Sequence, residues 1–275
     1  MANITASEVA KLRAITGAGM MDCKSALVEA NGDFDKAQTI IREKGKLVAA
    51  KRSDRETKEG AVIAQVTADA KTGVMMCLGC ETDFVSKNEQ FQTVAKKLAA
   101  VAIENCPADL DAYSALSIDG FTVADYVIQQ TGKTGEKHLL ACCEKVEGEF
   151  VVVYNHMTGK ISAMVAFNKV IDAQVGKNIA MQVASMSPIA ISKDDCSADV
   201  IAKELEIGRE QARLDGKPEA MLDKIAQGKL GKFFKENTLM AQDYILDSKL
   251  TVESYLKAAD AEVKVVAMKR FSLSD

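Results

Sequence analysis

Apolar residues recur along this chain at two different periods, and the places where the period changes divide it. Val9, Leu12 and Ile15 follow helical spacing, and Thr5 with Glu8 forms a capping box ahead of them, so the pattern predicts a first helix that ends at Gly17. Thr16-Gly17-Ala18-Gly19 turns into a second helix over 20–30, stopped by Asn31-Gly32, a pair suited to positive φ. Asp33 caps a third helix whose Phe34, Ala37, Ile40 and Ile41 line one side as far as Lys44-Gly45. Three helices within residues 1–45 predict a very small core, with some apolar surface left for a partner. Met20 and Met21, adaptable side chains at a helix start, fit either that core or such a contact. Over 46–59 the pattern breaks: Lys46, Lys51, Arg52, Asp54, Arg55, Glu56, Lys58 and Glu59 crowd a stretch with few large apolar groups, which predicts a linker, part helix and part solvated tether.

Beyond the linker the period shortens, and the same arrangement occurs twice. Residues 59–66 lead through Thr72-Gly73 into a second apolar run to Leu78; residues 147–154 lead through Thr158-Gly159 into a run to Val165. Each copy predicts a β-hairpin followed by an amphipathic helix, over 89–104 and 173–186, and each gains a further strand, over 138–146 and 262–271. The expected fold class is α+β: a small three-helix domain (1–45), a linker (46–59), and a core of two related antiparallel-sheet subdomains (60–146; 147–192 with 238–275). Residues 193–237 interrupt the second as an inserted helical hairpin. Ser197 caps its first helix, Asp215-Gly216-Lys217-Pro218 turns it, and Ile201, Leu205 and Ala212 face Met221, Ile225 and Leu230 in a narrow seam. Two such helices make either a packed pair or a short antiparallel coiled coil reaching about 27 Å.

The first copy carries one feature that the second lacks. Glu81-Thr82-Asp83-Phe84-Val85 stands at the junction of strand and helix, where the second copy reads Phe167-Asn168-Lys169-Val170. Ser86 with Glu89 predicts the cap of the following helix, whose inner face is Phe91, Val94, Ala95, Leu98, Val101 and Ala102, leaving Phe84 outside it. Phe84 either folds back to staple the helix end or projects as a knob for a partner's pocket. A purely structural staple would be expected in both copies.

Composition narrows the function. The chain has 275 residues, 48% of them apolar, and a formal net charge of −4, with no isolated basic face, so direct nucleic-acid binding is not expected. The start, from Met1 to Glu8, lacks the basic and apolar stretches of a signal peptide, and no run approaches membrane-spanning length; a soluble, cytoplasmic chain is expected. Seven cysteines without such a signal favour reduced thiols. Thr131-Gly132-Lys133-Thr134 resembles the end of a phosphate-binding loop, but Val127 stands where its first glycine is needed and a strand follows, so it reads as a turn. Cys77 and Cys80, with His138, Cys142 and Cys143, would chelate metal only if a bulge turned them to one side of the strand. With His138 and His156 the sole imidazoles and no recognisable nucleophile, neither a catalytic site nor a cofactor or metal of its own is expected.

Several strings together resemble the bacterial translation elongation factor Ts family, exchange factors of the GTPase elongation factor Tu. They are Leu12-Arg13, Thr16-Gly17-Ala18-Gly19-Met20-Met21-Asp22-Cys23-Lys24, Ala26-Leu27, Glu29-Ala30-Asn31-Gly32-Asp33, Thr82-Asp83-Phe84-Val85 and Asp215-Gly216-Lys217-Pro218, within a likeness that runs from Ile4 to Phe271. The resemblance implies that the N-terminal helices dock on the GTPase's nucleotide-binding domain through Met20, Met21 and Lys24. It implies that Thr82, Asp83, Phe84 and Val85 enter beside the magnesium site, with Asp83 and Phe84 as the intruding pair, and that His156, Ile245 and Leu246 are further contacts. Thr134 departs from the family pattern, which has an apolar residue before Gly135, and the sequence stops at Asp275, short of the extension some members carry. Homodimerisation is compatible with the sequence. A thiol or zinc enzyme, and an adaptor whose three helices resemble a ubiquitin-associated domain, are the rival readings.

Overall fold

The computed structural model describes residues 4–274; residues 1–3, where the signal-peptide reading begins, and Asp275 lie outside them. Helix α1 (Ala6–Thr16) starts on the predicted capping box, with the Thr5 hydroxyl accepting the Glu8 N–H at 3.3 Å and the Glu8 carboxylate accepting the Thr5 N–H at 2.7 Å. Val9 and Leu12 face inward, whereas Ile15 is 55% exposed and borders a cavity instead of the core. α2 (Met20–Glu29) ends before Asn31 and Gly32, both at positive φ, and α3 (Phe34–Lys51) starts on the Asp33 cap. α3 does not stop at Gly45. It runs on to Lys51 and takes up residues 46–51 as the helical part of the predicted linker, because its far end has a surface to pack on.

Strands β1 (Glu59–Val66) and β2 (Thr72–Cys80) form the first hairpin, whose turn lies over 67–71 with Ala70 at positive φ and not at Thr72-Gly73, since Gly73 pairs with Val66 in the ladder; a single turn, α4 (Asp83–Ser86), and α5 (Glu89–Asn105) follow. Next come α6 (Leu110–Ala115), the short pair β3 (Ser117–Ile118) and β4 (Phe121–Thr122), and α7 (Val123–Thr134), for which apolar spacing had predicted nothing. Thr131-Gly132-Lys133-Thr134 is therefore the last turn of a helix, closed by Gly135 at φ 74°, and not a loop turn. The glycine is there for α3: a Cβ on Gly132 would lie 2.9 Å from the Gly45 Cα. Arg42 over the Phe121 ring and Lys46 beside Asp125 add polar contacts along the same seam.

β5 (Leu139–Glu147) pairs antiparallel with β2 to give a sheet of order β1-β2-β5. The second half repeats it. β6 (Phe150–Asn155) and β7 (Ile161–Phe167) precede α8 (Ala173–Met186) and the hairpin α9 (Ala198–Leu214) and α10 (Glu219–Asn237). After β8 (Asp243–Tyr244), β9 (Asp247–Thr251) and α11 (Val252–Ala259), β10 (Val265–Ser272) closes a sheet of order β6-β7-β10. The two sheets pack face to face over Val62, Met75, Cys77, Val151, Met164 and Ala166. The outer face of the first is covered by α5, α6 and α7 (Phe91, Leu98, Tyr113, Val127), and that of the second by α8 and α11 (Ile179, Val183, Val252, Leu256). The result is four layers, helix, sheet, sheet, helix. Asn155 exchanges both side-chain amide bonds with the Ala64 backbone, at 2.8 and 2.9 Å, which satisfies groups on the open edge of β1 and ties the halves together.

In the hairpin the buried line is Gly208, Ala212, Leu222, Ala226 and Leu230. Met221, predicted to face Ala212, is exposed and Leu222 takes its place. The seam is narrower than large residues allow, since a Cβ on Gly208 would approach the Ala226 Cα to 3.1 Å. Among the described residues no helix is long and apolar enough to cross a membrane.

Candidate partner-binding corner

β2 leaves its sheet at Cys80, and four residues later the chain has turned into the protein's most exposed phenylalanine. Thr82 has the extended backbone of an N-cap (φ −124°, ψ 157°), and α4 is closed by the Ser86 N–H to the Thr82 carbonyl (3.1 Å) and the Lys87 N–H to the Asp83 carbonyl (3.0 Å). This extra turn corrects the predicted cap. Ser86 is buried, with its hydroxyl donating to the Asp83 carbonyl, and the cap of α5 is Asn88, whose side-chain oxygen accepts the Gln90 N–H at 2.8 Å. Val85 packs on the helix-covered core of the first sheet, whereas Phe84 is 87% exposed. Phe84 borders a cavity of about 150 Å³ shared with Val85, Phe91, Gln130, Thr134 and His138, but its ring stays in solvent. It is not a staple.

Charge surrounds this ring in a fixed arrangement. Asp83 pairs with Lys87 at 2.7 Å; that hydrogen bond and the ammonium charge hold the Asp83 carboxyl below its ordinary range, so it is anionic at neutral pH. Thr82 gives its N–H and its hydroxyl to the Glu136 carboxylate, at 3.1 and 2.7 Å. Glu81 accepts Arg52 at 2.7 and 2.8 Å and the Lys137 N–H at 2.6 Å; burial acts to raise its carboxyl pKa, but these donors hold it below the ordinary value. His138, buried against the Phe91 ring with Nδ1 3.0 Å from the Glu136 carbonyl, has its pKa pushed down by burial.

The arrangement offers a partner an apolar ring and a carboxylate, and the nearby thiols are divided between layers. Cys77 and Cys80 face opposite layers, as a strand requires, with Cys142 and Cys143 divided likewise. Burial pushes Cys77, Cys80 and Cys143 up to about 12, far from a reactive thiolate.

The model of the family described as "Elongation factor TS" matches residues 81–275, a span that opens on the corner itself. The elongation factor Ts of Flavobacterium psychrophilum is 50% identical over 275 residues, which cover 99% of this chain and 100% of that protein. Those of Amoebophilus asiaticus and Cytophaga hutchinsonii are 47% and 45% identical, over 97% and 100% of this chain and 98% and 100% of their own length. The chain belongs to the elongation factor Ts family. It is thus a factor of the elongation stage of protein biosynthesis, with that family's general role in nucleotide exchange on elongation factor Tu.

The residues that the family resemblance marks are dispersed over four places. Met20, Met21 and Lys24 lie exposed on α2, with Met21 72% exposed, so these methionines are outside the small N-terminal core. Thr82 to Val85 form the corner. His156 is half-buried in the β6–β7 turn, 3.2 Å from the Tyr154 hydroxyl; Lys160 of that turn pairs with Glu59, which lies opposite Cys80 in the sheet, so the turn is on the corner's side. Ile245 is half-buried and Leu246 is 60% exposed between β8 and β9, with the Ile245 N–H donating to Gln182. Sequence reasoning missed Arg52, Glu81, Glu136 and Lys137, the supports of the corner. Their pairings span 29 to 56 positions, and no local period marks them.

Proposed function

We propose that this chain docks on elongation factor Tu and drives Phe84, with Asp83 beside it, into the GTPase's magnesium and phosphate site, so that GDP leaves and GTP can bind. One observation carries the reading: a large aromatic ring is held in water at the tip of a turn whose base is hydrogen-bonded on every side. Exposing that ring gains the free chain nothing, and its burial elsewhere is worth about 1.5–3 kcal/mol. A thousandfold faster release requires roughly 4 kcal/mol off the barrier, at 1.36 kcal/mol per decade. The wedge alone falls short. The difference comes from a broad interface, of order 1,000 Å², to which Met20, Met21 and Lys24 of the N-terminal module (1–45), His156, Ile245, Leu246 and the inserted hairpin (193–237) contribute.

Displacing the elements that position magnesium leaves phosphate charge poorly neutralised, and the nucleotide is weakened. The coupling is reciprocal: the factor weakens nucleotide, and fresh nucleotide expels the factor. No bond is made or broken, so the protein is an exchange factor and not an enzyme of covalent chemistry. It needs no cofactor, nucleic acid or membrane and works in the cytoplasm beside its partner. Stopped-flow release of labelled GDP from elongation factor Tu tests this. Release that accelerates and saturates with added chain supports it; binding without acceleration is the behaviour of an adaptor and contradicts it.

A further inference from the structure

We propose that Glu136, together with the Arg52–Glu81 pair, fixes the direction in which Phe84 leaves the molecule and makes the N-terminal helices and the corner one rigid unit. The inference rests on the wedge reading of Phe84 and adds the residues that aim it. Between the last residue of β2 and the first of α4 stand only Glu81 and Thr82, and both are gripped by groups from elsewhere in the chain. A threonine at an N-cap ordinarily uses its hydroxyl as an acceptor for a backbone N–H of its own helix. Thr82 makes no such cap. Its hydroxyl donates to the Glu136 carboxylate at 2.7 Å, parallel to its backbone N–H at 3.1 Å, so the side chain serves as a tether and α4 goes uncapped. Both are hydrogen bonds to an ionised group, the stronger kind.

Glu81 extends the grip toward the other domain. Its side chain is only 15% exposed, and it receives the guanidinium of Arg52, the C-cap residue just past α3, on both oxygens. The same carboxylate takes the Lys137 N–H, while the Lys137 ammonium reaches back to the carbonyls of Ser53 and Arg55, at 2.5 and 2.9 Å. Upstream, α3 and α7 touch backbone to backbone at Gly45 and Gly132. The contacts thus close a ring: α3 on α7, the residues after α7 on the corner, and the corner on the end of α3. A force applied to the N-terminal helices when they dock is carried to Phe84 and not lost in a flexible tether. Glu136, Glu81 and Arg52 are positioning residues, since none of them is the group that enters the partner.

Two readouts test this on the full chain: hydrogen exchange of residues 82–88 in the free protein, and saturation kinetics of labelled-GDP release from elongation factor Tu. Glu136→Ala is expected to speed exchange at the Ser86 and Lys87 amides, and to lower the saturating release rate, each about tenfold. The half-saturating concentration should change less than about twofold. Glu136→Gln, which keeps one acceptor oxygen for Thr82, is expected to recover most of the rate. Thr82→Val, which removes only the donor hydroxyl at nearly constant volume, should reproduce part of the loss and guards against a folding defect. In a Phe84→Ala background, Glu136→Ala should cost no further rate. Unchanged exchange over 82–88 overturns the inference whatever the release kinetics show, and so does an equal loss of rate in the Phe84→Ala background. Faster exchange with an unaltered release rate supports the positioning and contradicts the wedge.

Discussion

Phe84 contributes nothing to the core it stands beside, because Val85 occupies that place and the ring remains in water. Phe84→Ala is therefore expected to leave the urea unfolding free energy within about 0.5 kcal/mol of the parent, as for a surface substitution; a larger loss would show that the ring packs at home. Glu81 behaves differently. Its folded pKa is depressed below 4.5, so its pairing stabilises fully above that value and is lost as pH falls through the lower folded one. Glu81→Gln should thus cost stability at pH 7 and progressively less below pH 4.5, measured by urea titration at each pH. At this scale Phe84 was legible, as the one large aromatic among charges that the second half does not repeat. The cap was not, since Ser86 and Asn88 both suit that role, and a four-residue turn decided between them.

Close approach governs how the elements meet. Gly45 and Gly132 face each other where α3 crosses α7, and they are not equivalent: a Cβ on Gly45 would find 3.6 Å to the nearest atom, one on Gly132 only 2.9 Å. Gly132→Ala is expected to destabilise by about 1–3 kcal/mol through overpacking, whereas Gly45→Ala should be neutral or gain up to about 1 kcal/mol from helix propensity. Urea titration of both variants checks the contrast, and equal effects would deny the crossing geometry. The same glycine explains why α7 was hidden in the sequence: Thr131, Gly132 and Thr134 are weak helix formers within one turn, and the packing that overrides them lies 87 residues upstream, at Gly45. The α1 capping box, the Asn31-Gly32 stop and the Thr158-Gly159 turn carry their signals locally, and these the sequence showed; the first hairpin was placed correctly but its turn was not, since Thr72 and Gly73 belong to β2.

At the scale of the whole molecule, duplication was readable and layering was not. β2 and β7 are buried on both faces, so they show continuous apolar runs without the alternation that would reveal which face meets the other sheet. The layered packing puts Cys77, Cys80, Cys142 and Cys143 inside, with Cys23 in the N-terminal core, and leaves Cys106 and Cys196 only partly covered. A thiol reagent at pH 8 should titrate those two in the native protein and all seven after denaturation. Rapid native labelling of more than two would contradict the face-to-face packing. The layers also form the rigid base from which the corner projects, and the role proposed for the chain depends on that rigidity. The most direct measurement is the rate of GDP release from elongation factor Tu across a concentration series of wild type and Phe84→Ala. The wedge predicts a saturating rate about 10- to 100-fold lower for the variant, matching the burial of one ring, with a half-saturating concentration within about threefold. An unchanged saturating rate, or a loss confined to affinity, would contradict it.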